Sequence, residues 1–149
     1  MKKIFFFIRL FVMFLFFAQN ASAAKSTFFS KGKELFEKKE YKKSKNLFEK
    51  DIVFNPKSEK SYLYLAKIFN KEDKDGDEEI NLQNVLLLNP KNDEAIYMLA
   101  LLKIKQSDYH EAKKLIETFD LVCKSFCSKK SEIEGKFDKL IPLNAKSNN

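Results

Sequence analysis

The sequence predicts an all-α chain built from repeated helical units, and three observations carry that prediction. Asn55-Pro56-Lys57 and Asn89-Pro90-Lys91 repeat one tripeptide 34 residues apart, a spacing in the range that marks solenoids and arrays. Apolar residues recur three to five positions apart in blocks: Leu35, Phe36, Leu47, Phe48 and Ile52; Tyr62, Leu65, Ala66 and Phe69; Leu99, Leu102, Leu115, Ile116 and Phe119. That is helical periodicity. Pro56 and Pro90 fall between the blocks, where a missing N–H breaks no helix. With Pro as position 32 of the unit, the frame runs 25–58, 59–92 and 93–126 without an insertion.

The chain opens on a different kind of segment. Lys2 and Lys3 precede a stretch from Ile4 to Ala18 that is apolar apart from Arg9, and Ala21-Ser22-Ala23 then supplies small residues at alternate positions. This pattern predicts a secretory signal over 1–23, cleaved after Ala23. Fifteen helical residues span only about 22 Å, short of a ~30 Å hydrocarbon core, which argues against a retained anchor. No Cys follows the small residues, so no lipid attachment is expected there. The mature chain is therefore expected in a periplasm or secreted, with no stable membrane insertion after cleavage.

Removing 1–23 changes the composition. The whole chain has 149 residues, a formal charge of +7 and 16 Phe, seven of them in that segment. The 126 residues that remain carry 25 basic and 21 acidic groups, or +4. A chain of this size makes one small domain, burying roughly two-thirds of its unfolded surface. Only three Gly are present, which argues against a doubly wound nucleotide fold. Arg9 is the sole Arg, so the mature chain lacks the bidentate fork that phosphate and base readers exploit. No nucleic-acid partner is expected.

Within the frame, small residues recur at position 8 as Gly32, Ala66 and Ala100. Position 17 is Tyr41, Asp75 and Tyr109; position 20 is Ser44, Glu78 and Ala112; position 24 is Phe48, Leu82 and Ile116. These residues resemble the tetratricopeptide repeat (TPR) family, whose unit is a pair of antiparallel helices. The third unit, with Leu99-Ala100 and Ser107-Asp108-Tyr109-His110-Glu111-Ala112, matches best; the second lacks the aromatic at 75 and the small residue at 78. The resemblance implies an α-solenoid of three hairpins at 24–58, 59–92 and 93–126. Three is near the minimum, because one hairpin cannot bury its own apolar face. Beyond them, Ile133, Phe137 and Leu140 sit at helical spacing over 128–140, with Ser131 and Glu134 as a capping box. We read 127–149 as a capping helix followed by a polar tail from Asn144.

No catalytic constellation is present. His110 is the only His and is expected on a solvated helix surface, and no nucleophile, metalloprotease or phosphate-loop motif accompanies it. The expected class is a non-enzyme with no cofactor. One segment offers a metal alternative. Asp73, Asp75, Asp77 and Ile80, within Asp73–Asn84, resemble an EF-hand calcium loop. Glu78 stands where the loop needs Gly, and Asn84 where it needs a bidentate Glu. The repeat frame independently predicts a turn between helices there, with acids near the following helix N-terminus.

Cys123 and Cys127 lie four apart with no CxxC pattern and no His nearby, which disfavours haem or zinc. In an oxidising compartment a disulfide pins the turn into the capping helix if the preceding helix ends near Cys123. A helix running through Cys127 gives a strained bridge instead. Two buried thiols are the third reading.

Charge is uneven: +5 in the first unit, −2 in the second, −1 in the third and +2 over 127–149. The TPR resemblance implies a concave groove lined by the first helix of each pair and holding an extended peptide or a helix. Its positions here are Phe29, Lys33, Phe36 and Glu37; Leu63, Lys67, Asn70 and Lys71; Tyr97, Leu101, Ile104 and Lys105. Aromatic anchors beside Lys suit an apolar side chain next to a carboxylate. Lys67, Asn70 and Lys71 resemble the carboxylate-gripping arrangement of some peptide-binding TPR domains. The alternative reading has part of the apolar set packed under the capping helix or covered by a neighbouring subunit, and the second of these would make the protein a homo-oligomer. The expected function is an exported adaptor that captures another protein or peptide, with calcium binding as the alternative.

Overall fold

The computed structural model describes residues 27–140. Among these the chain forms seven α-helices and no strand: α1 Thr27–Glu37, α2 Tyr41–Phe54, α3 Glu59–Lys71, α4 Asp75–Leu88, α5 Asp93–Lys105, α6 Tyr109–Val122 and α7 Lys130–Leu140. A 3₁₀ turn, Cys127–Lys129, leads into α7. Helices α2, α4 and α6 start 34 residues apart and end 34 residues apart. The signal predicted at 1–23 and the tail from Asn144 lie outside the described residues.

The period reaches down to single hydrogen bonds. Between the helices of each pair, one non-glycine residue takes a left-handed backbone: Lys39 (φ 62°), Asp73 (φ 52°) and Ser107 (φ 60°). That conformation costs a residue with a Cβ roughly 1–2 kcal/mol. The same closing bond follows it each time. The amides of Glu40, Lys74 and Asp108 donate to the carbonyls of Leu35, Phe69 and Lys103 at 2.9, 3.0 and 2.9 Å, satisfying acceptors that a helix C-terminus leaves open. Asn92 and Asp108 cap α5 and α6 by accepting from the amides of Ala95 and Glu111.

Small residues set how closely the paired helices approach. A Cβ on Gly32 would meet the Phe48 ring at 2.9 Å, and Ser44 Oγ donates to the Gly32 carbonyl at 2.7 Å. Ala66 and Ala100 are fully buried in the equivalent places. Phe48, Leu65, Ile68 and Phe69 form one core cluster, with Phe29, Phe36, Tyr41, Ile52 and Tyr64 packed on it. A larger one runs from Leu63 through the α5–α6 pair to Ile133 of α7. Stacking buries a face that no single hairpin could bury.

One local expectation and the calcium-loop alternative differ from the structure. Ser131 does not cap α7: the helix begins at Lys130, because the 3₁₀ turn already supplies its entry. Residues 75–84 are not a loop. They form the first ten residues of α4, since Asp75, Asp77 and Glu78 favour a helix N-terminus as strongly as they would a cation.

Candidate peptide groove

The first helices of the three pairs, α1, α3 and α5, share one face and enclose a cleft of about 340 Å³. Six of the expected groove residues line it: Phe36, Lys67, Asn70, Lys71, Tyr97 and Leu101. Glu78, Glu94 and Met98 complete it and were not anticipated. Glu78 carried a sequence signal, as the one large residue at a position that is otherwise Ser44 and Ala112. Glu94 and Met98 had none, because charge and thioether at those positions read as ordinary helix surface.

The remaining expected residues go elsewhere. Phe29 turns into the first core cluster, its ring 5.8 Å from Phe48 and 5.7 Å from Tyr64. Leu63 is buried in the larger one. Lys33 pairs loosely with Glu37 at 3.7 Å. Lys105 donates to Asp75 at 2.7 Å and to Asp73 at 3.3 Å. Ile104 is buried and borders a second opening with Lys136 and Lys139 of α7.

Electrostatically the cleft is already paired. Lys67 Nζ sits 2.7 Å from Glu94 Oε1, bridging α3 to α5, and 4.9 Å from the Tyr64 ring centroid. Lys71 lies 5.5 Å over the Tyr41 ring, where a cation is held by the ring's negative face. Asn70 Nδ2 donates to both oxygens of Glu78, each at 3.1 Å. Burial pushes the Glu78 carboxyl above its ordinary value, with Asn70's bond pulling the other way. So the trio expected to grip a carboxylate faces carboxylates of its own chain and an aromatic ring. Tyr97 contributes its ring to the cleft while its hydroxyl turns to α7. Burial and a bond to Glu132 push Tyr97 up to about 12. Lys129, Lys136 and Tyr97 together hold Glu132 down to about 2.

Asp73 and Asp75 are the Lys105 partners, and Asp77 is exposed on α4. Among the described residues no group of three or more His, Cys, Asp or Glu could hold a metal ion. Cys123 and Cys127 are joined by a disulfide across a Cα separation of 5.2 Å, just beyond the end of α6. Asp93 Oδ2 closes the same turn by accepting from the amides of Lys124, Ser125 and Phe126 at 2.8, 2.6 and 3.0 Å.

No protein-family model and no curated protein matches the sequence. Solved structures do match. The first TPR domain of Spaghetti (RPAP3), bound to an HSP90 peptide, superposes with a TM-score of 0.68 at 17% identity, over 76% of this chain and 90% of that one. The Sgt2 TPR domain of Aspergillus fumigatus gives 0.68 at 17% identity over 86% of each chain. The TPR2B domain of yeast Sti1, in complex with pHsp70, gives 0.63 at 18% identity over 73% of this chain and 89% of that one. The fold is a TPR-type α-solenoid. In this solenoid the cleft lies on the face formed by the first helix of each TPR-type pair. Identity this low establishes shared architecture, so ligand chemistry has to be argued from the side chains.

Proposed function

We propose that the protein is a binding adaptor that captures a peptide or a helix of another protein in this groove, without catalysis. The observation that carries the reading is the cleft itself, where apolar and charged side chains from three successive repeats converge. Phe36, Tyr97, Met98 and Leu101 offer an apolar anchor site, and buried apolar anchors dominate such interfaces. Two of the similar TPR structures hold peptide or protein segments of HSP90 and Hsp70. In this chain an incoming carboxylate would have to take Lys67 from Glu94, so the apolar anchor is expected to contribute most of the affinity.

A pull-down with the mature chain from its own extracytoplasmic extract identifies the partner. Leu101→Asp should abolish capture, and Lys67→Glu with Lys71→Glu should weaken it, while each leaves the helical signal intact. Undiminished capture by both variants overturns the groove.

Export is part of the proposal. The mature chain is expected to act in a periplasm or outside the cell, and the measurement is the mass of the protein recovered from a secreting host. A product beginning at Ala24 supports export; a full-length, membrane-retained product opposes it. Calcium binding draws no support from the site, since Asp73 and Asp75 already accept from Lys105.

A further inference from the structure

The edge opposite the turns at Lys39, Asp73 and Ser107 carries a second pattern. At the last turns of α2, α4 and α6, one repeat position holds Val53, Leu87 and Leu121, exposed by 74%, 80% and 86%. The next position adds Phe54, 73% exposed, and Leu88, 37% exposed. An isolated exposed Leu needs no explanation. The same apolar position left open in three consecutive repeats makes a row along one edge of the stack, because the three helices begin and end in register.

The charge at the tips of that row is basic. Segments 52–58, 86–92 and 121–127 contain no acidic residue, and each contributes one Lys: Lys57, Lys91 and Lys124, all exposed. Glu49 and Glu117 stand exposed one turn before Val53 and Leu121, whereas the acids at the helix ends are engaged in the turns. Glu59 accepts from the side chains of Asn89 and Asn92. Asp93 accepts three backbone amides. Asp120 pairs with Lys130 at 2.7 Å. The edge therefore shows water an alternation of aliphatic or aromatic side chains and uncompensated lysines.

We infer that this edge docks on an anionic lipid surface, the exposed apolar side chains entering the headgroup boundary and the lysines meeting phosphates. Apolar insertion combined with basic flanks is the composition that gives peripheral membrane affinity. A further point favours lipid over protein. The apolar residues stand as two separate pairs and a single Leu121 at three helix ends, too few and too divided for the roughly 1,000 Å² of a well-packed protein interface. A fluid surface accepts each separately. The described residues also start at this edge, where the Phe28 ring stacks on Phe54 at 5.6 Å, adding an aromatic ring beside the row. Among the described helices none is long and apolar enough to cross a membrane.

The test is co-sedimentation of the chain from Ala24 onward, whose described fold lies within 27–140, with phosphatidylglycerol or phosphatidylcholine vesicles. Binding to phosphatidylglycerol alone, weakened by salt, is expected. Val53→Glu/Leu87→Glu/Leu121→Glu should reduce it at least about tenfold, and so should Lys57→Glu/Lys91→Glu/Lys124→Glu, whose changes lie in turns and leave the helices untouched. The helical signal and melting temperature of each variant confirm that it is folded. Failure to bind phosphatidylglycerol, equal binding to both lipids, or undiminished binding by the folded variants overturns the proposal. So does a dimer that the Glu variants convert to monomer, which would assign the row to a second copy.

Discussion

Asn70 holds Glu78 by both carboxylate oxygens, each 3.1 Å from Nδ2, at a position that the neighbouring repeats fill with Ser44 and Ala112. Burial raises the Glu78 pKa above its ordinary 4.5; Asn70's hydrogen bond opposes that, Asp75 adds to it and Lys105 opposes it. The folded state therefore binds this proton more tightly than the unfolded chain does. Stability from this group is greatest at low pH and falls as pH rises from about 4.5 through the folded value. Glu78→Gln keeps the shape and an acceptor for Asn70 but does not titrate. It should be more stable than the parent at pH 7, and the difference should vanish by about pH 4. Urea unfolding of both chains across this range measures the difference. A constant difference would sink the assignment.

Gly32 and Gly135 should respond to alanine with opposite signs. A Cβ at Gly32 meets three atoms of the Phe48 ring at 2.9 to 3.2 Å, whereas Gly76 and Gly135 have nothing within 4 Å. Phe48 is fully buried and its ring is stacked against Tyr64 at 5.0 Å, so it has little room to yield. Gly32→Ala gains up to about 1 kcal/mol of helix propensity but incurs an overpacking cost of about 1–3 kcal/mol, for a net loss. Gly135→Ala, within α7, should gain about 0.5–1 kcal/mol. Chemical denaturation ranks the two, and a stabilised Gly32→Ala would contradict the close approach.

The Cys123–Cys127 bridge closes a very short loop. Chain entropy for such a loop gives about 2 kcal/mol of stabilisation. Cys123→Ser/Cys127→Ser should lower stability by about that amount and make the melt insensitive to reductant. The parent should lose the same amount when reduced. Asp93, which gathers three amides of this turn, should limit the damage to the α7 end.

Lys67 and Glu94 tie α3 to α5 at 2.7 Å with both side chains about three-quarters covered. A double-mutant cycle with Lys67→Met and Glu94→Gln should return a coupling of about 0.5–1 kcal/mol, above the usual exposed pair. Glu94→Gln also releases Lys67 toward the cleft. Peptides ending in a carboxylate should then bind more tightly than they do to the parent, as read by fluorescence anisotropy. Unchanged affinity would mean that Lys67 does not face the ligand.

Much of the architecture was legible before any coordinates. The Asn-Pro-Lys repeat and the small residues 32, 66 and 100 placed every helix pair, because a repeat that must stack on its neighbours has to reuse the same packing positions. The EF-hand-like run at 73–84 was the main ambiguity. Acids at alternate positions satisfy a cation loop and a helix N-terminus alike, and only the backbone, helical from Asp75, separates them.

The sequence by itself determined the period, the helical class and which face of each helix is apolar, since these depend on local spacing. Tertiary structure decided which polar groups meet. Lys67 found Glu94, Asn70 found Glu78, and Tyr97 turned its hydroxyl to Glu132, each pairing residues from different helices. It also decided how far Val53, Leu87 and Leu121 stay exposed. Partner choice between helices depends on crossing geometry and burial, and no linear pattern encodes those directly.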